Sequence, residues 1–383
     1  MDISGLKICS KCIYDEKVSG IVFDEKGVCN YCKMIDDLKN QYKTATPEGE
    51  NRLKEIIAEI KKAGKGKKYD CVVGVSGGTD SSYLIIKAVE WGLRPLAVHY
   101  DNTWNTAIAT ENIKKILKKI NVDLYTHVVD NKESDDIFRS FFLANVPEID
   151  GPTDIALSET MYRAASKFGV KYILEGHSFM AEGVSPLANA YMDGGYIKNV
   201  HKEFGRVKMK TFPNMEFMTF MKWIILKRIK KIRPFWYMEY SKQEARGMLE
   251  KEYDWKYYGG HHLENRMTAF NHSYYFPNKF NIDMRNNSLS ASVRAGLMTR
   301  EEAISEYSKP PYIEPELLDY FKKRLEFTDA EFDKIMKGPK KTYKDYKTYK
   351  QRFEKLRPLF FLLTKMSLVP MSFYIKYTSK TEI

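Results

Sequence analysis

The sequence contains little cysteine and lacks a long uncharged apolar run. Of its 383 residues only five are cysteines, and four of these form two close pairs. No run of about 18 apolar residues is free of charge, so we expect a chain that does not span a membrane. The nearest approach is 358–375, which Lys365 and Pro370 interrupt, and we interpret it as a buried or interfacial segment.

The start of the sequence also lacks a targeting feature. Residues 1–5 do not show the charged and then apolar pattern of a secretory signal peptide, so we expect a cytoplasmic location. In that compartment close cysteine pairs are metal ligands more often than disulfides. The formal net charge of +12 favours acidic partners such as nucleotides, nucleic acid, anionic sugars or an anionic membrane surface.

The two cysteine pairs have the spacing of a zinc site. Two residues separate Cys9 from Cys12 and Cys29 from Cys32, and sixteen residues lie between the pairs. Four thiolates in this arrangement form a closed tetrahedral site for structural Zn²⁺, with iron or a redox dithiol as the alternatives. We therefore predict a zinc-ribbon-like module over 1–45. Cys71 stands alone in a predicted strand and is expected to pack as a small hydrophobe.

Alternating strand and helix patterns follow this module. A helical linker is predicted over 46–66, and apolar strands then recur between amphipathic helices, at 71–75, 96–100, 124–129 and 171–174. That alternation predicts an α/β fold with a doubly wound parallel sheet, in which ligands bind beyond the carboxyl ends of the strands. We assign 67–290 to this catalytic domain and 291–383 to a helical C-terminal region.

A glycine-rich loop follows the first predicted strand. Its residues are Ser76, Gly77, Gly78, Thr79, Asp80, Ser81 and Ser82. The two glycines let the backbone approach a polyanion, and the amides at the start of the next helix favour phosphate. The spacing is not that of a Walker A loop, and an acid replaces its lysine, so we expect Asp80 to hold Mg²⁺ against pyrophosphate. Asp80 and Ser81 are the catalytic candidates, and an ordinary β–α turn is the alternative interpretation.

This loop resembles that of the PP-loop, or N-type ATP pyrophosphatase, superfamily, whose fold is adenine nucleotide alpha hydrolase-like. That family cleaves ATP between the α- and β-phosphates and adenylates a carbonyl oxygen. Segment 98–102 resembles its adenosine-facing strand, and 176–182 resembles its GH/GT motif. The ATP contacts that the resemblance implies in these segments are His99, Asp101, Gly176 and His177. It also implies that Glu182 binds Mg²⁺ beside Asp80.

The cysteine content narrows the choice of acceptor. An enzyme that thiolates tRNA generally needs catalytic cysteines or a cysteine-held iron–sulfur cluster, and outside the zinc module only Cys71 remains. A self-contained glutamine-dependent synthetase needs an N-terminal cysteine or a Cys/His/Glu triad, which we do not find. An ammonia-using synthetase with a separate glutaminase is therefore favoured. A tRNA-modifying enzyme with the same adenylation chemistry is the alternative, and a zinc-bearing nucleotide sensor is a non-enzymatic one.

The C-terminal half carries a series of motifs at 210–213, 233–234, 255–266 and 289–303. With the cysteine pairs, this series resembles the N-acetyl sugar amidotransferases of bacterial surface-polysaccharide (LPS O-antigen) biosynthesis. The family more often has Lys and Ser where this chain has His261 and Asn265. The candidate substrate-binding residues in this half are Tyr258, Gly259, Gly260, His261, His262, Glu264, Arg266, Asp283, Arg285 and Arg294.

The resemblance implies a specific reaction. ATP adenylates the oxygen of an acetamido group on a sugar, ammonia attacks the activated carbon, and AMP leaves to give an acetamidino group. The product is cationic, which favours acidic residues in its pocket, and Glu264 and Asp283 are the candidates. The implied cofactors are ATP, Mg²⁺ and structural Zn²⁺. The implied partners are a glutaminase subunit, with a cyclase-like subunit as a further one, and an N-acetylated sugar; nucleic acid is not expected.

Overall fold

A five-stranded parallel sheet lies at the centre of the chain. The computed structural model describes residues 5–184, 191–259 and 263–379. The strands are β1 Cys71–Gly74, β2 Pro95–Asp101, β3 Leu124–Val128, β4 Tyr172–Leu174 and β5 Lys230–Ile232. Their order is β3-β2-β1-β4-β5 and every neighbouring pair is parallel, which confirms the predicted α/β class. The sequence pattern did not predict β5.

Helices cover both faces of this sheet, as a doubly wound fold requires. Those before and around the strands are α1 Asn30–Tyr42, α2 Pro47–Gly64, α3 Thr79–Glu90, α4 Ala107–Ile120, α5 Asn131–Leu143, α6 Gly151–Lys167, α7 Phe179–Glu182, α8 Gly194–Phe204, α9 Phe217–Met221 and α10 Lys242–Tyr253. Successive strand side chains point to opposite faces. Val73 therefore joins the apolar cluster of Ile85 in α3 and Ile116 in α4, whereas Val72 joins that of Met161 in α6.

Most of the described chain beyond α10 is helical, as predicted. Its helices are α11 Arg266–Phe270, α12 Arg285–Arg294, α13 Arg300–Ser308, α14 Leu317–Arg324, α15 Asp329–Lys337, α16 Lys350–Lys355, α17 Arg357–Lys365 and α18 Met371–Thr378. An aromatic core joins this region to α5: Phe142 packs against Phe321, whose ring stacks on Phe270 with centroids 3.6 Å apart. Within the described ranges, no helix is both long and apolar enough to cross a membrane.

The strand order creates a crevice between the carboxyl ends of β1 and β4. The chain runs through β1, β2 and β3 in one direction and places β4 and β5 on the other side of β1. Loops diverge at such a switch point and leave room for a ligand. The glycine-rich loop follows β1 directly, and the segment that contains Gly176 and His177 follows β4. Two of the three predicted ATP-binding segments therefore border one crevice.

Glu148, a buried acid that precedes α6, allows the packing of this region to be tested. Glu148 accepts hydrogen bonds from the Tyr191 amide at 3.5 Å and the Tyr196 hydroxyl at 3.4 Å, and burial raises its pKa to about 7. A raised pKa means that the folded chain retains a proton that the unfolded chain has lost. The resulting stabilisation is complete below the unfolded pKa of about 4.5 and disappears as the pH rises through about 7.

The Glu148→Gln variant, which cannot ionise, should lack this pH dependence. Relative to the wild type, we expect its free energy of unfolding to increase by about 2–3 kcal/mol between about pH 5 and about pH 8. Urea unfolding of both proteins across that range measures the difference. Glu55→Gln, at an exposed position of α2, is the control and should give a profile parallel to the wild type. A parallel profile for Glu148→Gln would contradict the prediction.

Candidate active site

The glycine-rich loop forms a concave surface between β1 and α3. Gly77 has a φ of +84°, and its carbonyl accepts a hydrogen bond from Trp255 Nε1 at 3.0 Å. The Gly78 amide donates to Ser76 Oγ at 3.2 Å, and that hydroxyl lies 3.2 Å from Ser81 Oγ. Hydroxyls and the first amides of α3 thus converge at a helix N-terminus, which suits phosphate.

Gly77 is the position in this loop where a side chain is least tolerable. A methyl group there would lie 2.3 Å from the carbonyl oxygen of Ala109, and its φ is in the left-handed region. We expect Gly77→Ala to lower the free energy of unfolding by about 3 kcal/mol, because strain and overpacking add. Gly247→Ala, in open space within α10, is the matched control and should stabilise by about 0.5–1 kcal/mol. Thermal unfolding of both variants checks the prediction, and equal stability would contradict it.

Two acids and a lysine meet beside this loop. Lys242 Nζ lies 2.7 Å from Asp80 Oδ2 and 3.9 Å from Glu182 Oε1, and the Tyr240 hydroxyl donates to Asp80. The three charged side chains are largely buried, with exposures of 15% for both acids and 29% for the lysine. The predicted magnesium pair is therefore brought together. Two carboxylates at a phosphate loop are a donor set that fits Mg²⁺.

The electrostatics of this cluster keep the carboxylate ionised. Burial raises the pKa of Asp80, but the Lys242 ammonium and the Tyr240 hydroxyl outweigh burial and hold that pKa below its ordinary value. Burial lowers the pKa of Lys242, but Asp80 and Glu182 outweigh it and raise that pKa. Burial and the neighbouring Asp80 raise the pKa of Tyr240, which stays a hydroxyl donor. Asp80 is thus a carboxylate and Lys242 an ammonium at neutral pH.

His177 follows β4 and faces the same cluster. Its Nδ1 lies 3.2 Å from Trp236 Nε1, and its Nε2 lies 3.5 Å from Glu182 Oε2. An indole N–H only donates, so Nδ1 accepts and the proton of the neutral ring is on Nε2. His177 therefore directs a donor towards Glu182. The neighbouring Gly176 packs closely on the loop, because a methyl group there would lie 3.0 Å from the Asp80 carbonyl oxygen.

His99 and Asp101 lie at the end of β2 and form hydrogen bonds with neighbouring groups of the protein. His99 Nδ1 donates to the Val75 carbonyl at 2.8 Å, and Nε2 lies 3.3 Å from Asn105 Nδ2. Asp101 accepts from the Thr103 amide at 2.7 Å and so closes a turn. His99 thus supports the backbone just before the glycine-rich loop. Their contact with ATP stays a prediction, as does that of Ser82, which is buried within α3.

The segment around Glu264, from the C-terminal half, forms hydrogen bonds with the backbone that follows β2 and contacts the glycine-rich loop. The Thr106 amide donates to the Glu264 carbonyl at 2.8 Å, and the Arg266 amide donates to the Trp104 carbonyl at 2.9 Å. This antiparallel pairing holds the buried Glu264 so that its Oε1 lies 3.4 Å from Ser76 Oγ. A methyl group on Gly78 would lie 2.9 Å from the same Oε1 and 3.1 Å from the Tyr258 hydroxyl. Glu264 and Tyr258 therefore border the phosphate loop.

Other predicted sugar contacts make their described interactions elsewhere. Arg285 pairs with Asp283 at 2.6 Å and donates to the carbonyls of Tyr307 and Lys309, so both side chains hold the start of α12. The Arg266 guanidinium lies 3.4 Å from a Glu314 carboxylate oxygen and 4.9 Å from the centre of the Tyr320 ring. Gly259 has a φ of +97°. Gly260, His261 and His262 lie outside the described residues, and these sugar contacts stay predictions.

The four paired cysteines form one buried cluster. Their Sγ atoms all lie within 4.8 Å of one another, and the Cys9–Cys32 and Cys12–Cys29 distances are both 3.9 Å. A tetrahedral site with Zn–S bonds of about 2.3 Å has edges of about 3.8 Å, so the geometry fits Zn²⁺. Arg294, a predicted sugar contact, instead points a guanidinium nitrogen at Cys32 Sγ at 3.8 Å, where it offsets thiolate charge.

This cysteine module is docked next to the acid cluster. The Tyr14 hydroxyl donates to Asn287 Oδ1 at 2.7 Å and lies 3.3 Å from the Val184 carbonyl. Val184 is two residues beyond Glu182, and α12, which carries Asn287, packs on α7. The module thus supports the segment that positions Glu182.

Three residues of the site were missed by sequence reasoning: Tyr240, Lys242 and Trp255. The Ser241-x-x-Glu244 pattern marks the start of α10, since the Ser241 side chain accepts from the Glu244 amide. That pattern carries no information on which loop the helix start faces. These side chains lie 160, 162 and 178 positions beyond the loop residues they contact.

The part of the chain that contains Glu264 matches a known family. Residues 264–357 match the profile described as LPS biosynthesis protein WbpG-like, C-terminal domain. This match supports the predicted similarity to LPS-biosynthesis proteins over this segment. A longer match is with an uncharacterized protein of Methanocaldococcus jannaschii. The two sequences are 24% identical over 306 residues, and the alignment covers 79% of this chain and 93% of that protein.

The solved structures that match this chain do so at low identity and low TM-score. An NMN synthetase from Francisella tularensis is 12% identical with a TM-score of 0.32 and covers 74% of this chain and 95% of its own. An NH3-dependent NAD synthetase from Campylobacter jejuni is 11% identical with a TM-score of 0.30, and the match covers 76% of this chain and 97% of that chain. The U34-tRNA thiolase NcsA of Methanococcus maripaludis is 12% identical with a TM-score of 0.33, and the match covers 84% of this chain and 89% of that chain.

Proposed function

We propose that this chain is an ATP-dependent amidotransferase that converts an acetamido group on a sugar into an acetamidino group, with ammonia from a separate glutaminase subunit. The observation that carries the proposal is the 3.4 Å approach of Glu264, the first residue of the WbpG-like segment, to Ser76 of the phosphate loop. Glu264 thus lies beside the loop expected to bind ATP, which supports a single site for ATP and the sugar.

The first step is activation of the amide oxygen. That oxygen attacks the α-phosphorus of ATP, the bond from this phosphorus to the bridging oxygen breaks, and pyrophosphate leaves. The loop amides and the hydroxyls of Ser76 and Ser81 bind the phosphates. Mg²⁺ held by Asp80 and Glu182 would supply charge neutralisation for the pyrophosphate. Lys242 contributes a second cation beside the leaving group, where electrostatic stabilisation has its largest effect.

The second step is substitution at carbon. The ammonia lone pair forms a bond to the activated carbon, the carbon–oxygen bond breaks with its electron pair, and AMP leaves. The attacking nitrogen then loses a proton, for which the buried Glu264 carboxylate is the acceptor that lies beside the loop. Once Glu264 has passed this proton to water, its carboxylate offsets the charge of the amidinium product.

A direct assay tests the proposal. Pyrophosphate release from ATP and Mg²⁺ is measured with ammonium chloride in the presence of an N-acetylated sugar pool or of bulk tRNA, and mass spectrometry follows the product. We expect AMP, pyrophosphate and a sugar one mass unit lighter, because NH replaces O. Pyrophosphate release that depends on tRNA alone would overturn the sugar proposal and favour a tRNA-modifying enzyme.

The Glu264→Gln variant tests the role of the carboxylate in the second step. We expect amidine formation to fall by about 10²–10⁴-fold, because the amide cannot accept the proton, while the KM for ATP changes little. Glu301→Gln is the matched control from the same segment, since Glu301 is exposed in the first turn of α13 and should leave the rate unchanged. Equal rates for the two variants would remove Glu264 from the mechanism.

A further inference from the structure

Large apolar side chains are exposed on one face of the molecule. α9 continues as a π-helical turn, Lys222–Leu226, and α17 is followed by a short turn. The exposed residues of these two segments, which we call the apolar patch, are Met218, Ile225, Leu226, Phe361, Leu362 and Met366. Leu226 is 75% exposed and Leu362 is 56% exposed. Clusters of exposed apolar residues mark interaction surfaces more often than isolated ones do.

The two segments of the apolar patch are held next to each other. Phe220 of α9 packs on Phe373 of α18 with ring centroids 4.9 Å apart, and α18 packs along α17. Arg228 and Met366 line the same surface cavity, together with Lys171. The two segments therefore lie side by side, and their exposed residues meet at this cavity.

The two segments that form this patch are rich in cations and contain no acids, although Glu59 of α2 lies near Tyr172 in the adjoining cavity. Residues 217–238 include six lysines or arginines and no aspartate or glutamate. Residues 355–381 include five lysines or arginines and again no aspartate or glutamate. The exposed cations next to the apolar patch are Lys171, Lys222, Lys227, Arg228 and Lys365. The surface thus combines apolar side chains with a rim of one charge sign.

The chemistry of this surface fits an anionic bilayer better than a protein. Lysine is depleted in protein–protein interfaces, whereas four of the five rim cations are lysines. Lysine stems lie along apolar surfaces and place the ammonium at the level of lipid phosphates. Peripheral membrane segments combine such cations with Leu and Phe. We propose that the apolar patch docks this protein on an anionic lipid surface.

The sheet fixes how such a docked protein would be oriented. Lys171 and Lys230, which line the cavity at the patch, stand at the amino ends of β4 and β5. Glu175 and Arg233 follow the carboxyl ends of these strands, at the edge that carries the glycine-rich loop. The crevice therefore opens away from the docked face, and ATP and the acceptor enter from the water. This proposal does not depend on the proposed reaction.

Vesicle co-sedimentation of the full chain tests the proposal. The protein is mixed with vesicles of phosphatidylcholine alone, or of phosphatidylcholine and phosphatidylglycerol in a two-to-one ratio. We expect sedimentation with the anionic vesicles that weakens as salt is added, because screening shortens the reach of the cations. The double variant Leu226→Glu with Leu362→Glu should bind on the order of tenfold more weakly, and so should Lys227→Glu with Arg228→Glu.

Matched variants keep the test decisive. Leu297→Glu and Lys118→Glu place the same changes at exposed positions outside the patch and should bind anionic vesicles as the wild type does. Circular dichroism melting and size-exclusion chromatography show whether each variant is folded and of unchanged size. Absence of wild-type binding to anionic vesicles, or equal binding by patch and control variants, would overturn the proposal. A patch variant that alters oligomeric size or glutaminase capture, without vesicle binding by the wild type, would identify a protein interface instead.

Discussion

The Asp80→Asn variant is expected to release pyrophosphate on the order of 10²–10³-fold more slowly than the wild type. The change keeps the shape of the side chain and removes the charge that Lys242 and Tyr240 hold in place. Lys242 forms ion pairs with Asp80 and Glu182, so the variant removes one of the two carboxylate charges expected to hold Mg²⁺. Steady-state pyrophosphate release, titrated with Mg²⁺, should show a lower kcat and a higher Mg²⁺ requirement.

A surface aspartate provides the control for this prediction. Asp36 pairs with Lys11 at 2.6 Å on an exposed part of the N-terminal module, so Asp36→Asn should leave pyrophosphate release unchanged. Thermal unfolding separates loss of chemistry from loss of fold. If Asp80→Asn keeps the wild-type rate at the same Mg²⁺ concentration, Asp80 is not a metal ligand in this enzyme.

Loss of zinc is expected to have the second large effect. Structural Zn²⁺ contributes about 10–16 kcal/mol in zinc-finger peptides, so Cys12→Ser should unfold the module around the cysteine cluster. Tyr14 would then no longer hold Asn287 and the backbone at Val184. Because Glu182 lies two residues before Val184, we expect pyrophosphate release to fall along with the zinc content. Metal analysis of the purified protein and activity on the same preparation measure both effects.

The fifth cysteine allows a matched control for the zinc prediction. Cys71 is fully buried in β1 and does not belong to the four-cysteine group, so Cys71→Ala should retain the metal. Iron in place of zinc in the purified protein would contradict the assignment of the metal. A Cys12→Ser variant with full zinc content would contradict the assignment of the ligand.

Local patterns predicted much of this fold. The apolar runs of β1 to β4 and the intervening amphipathic helices are legible because each element has its own periodicity. β5 was missed because Lys230–Ile232 is three residues long and two of them are lysines, which leaves no alternation to detect. It is nevertheless a strand, since its backbone pairs with β4.

The sequence by itself determined the segments that carry chemistry: the spacing of the four cysteines, the glycine-rich loop after β1 and the motif after β4. Each is legible because its residues are close together along the chain, and the parallel sheet then brings the strand ends to one edge. Only the tertiary structure decided which distant side chains complete the site. Lys242 and Glu264 reach the loop across 162 and 188 positions. Such contacts depend on the packing of α10 and on the pairing of Glu264 with Thr106, for which no local pattern exists.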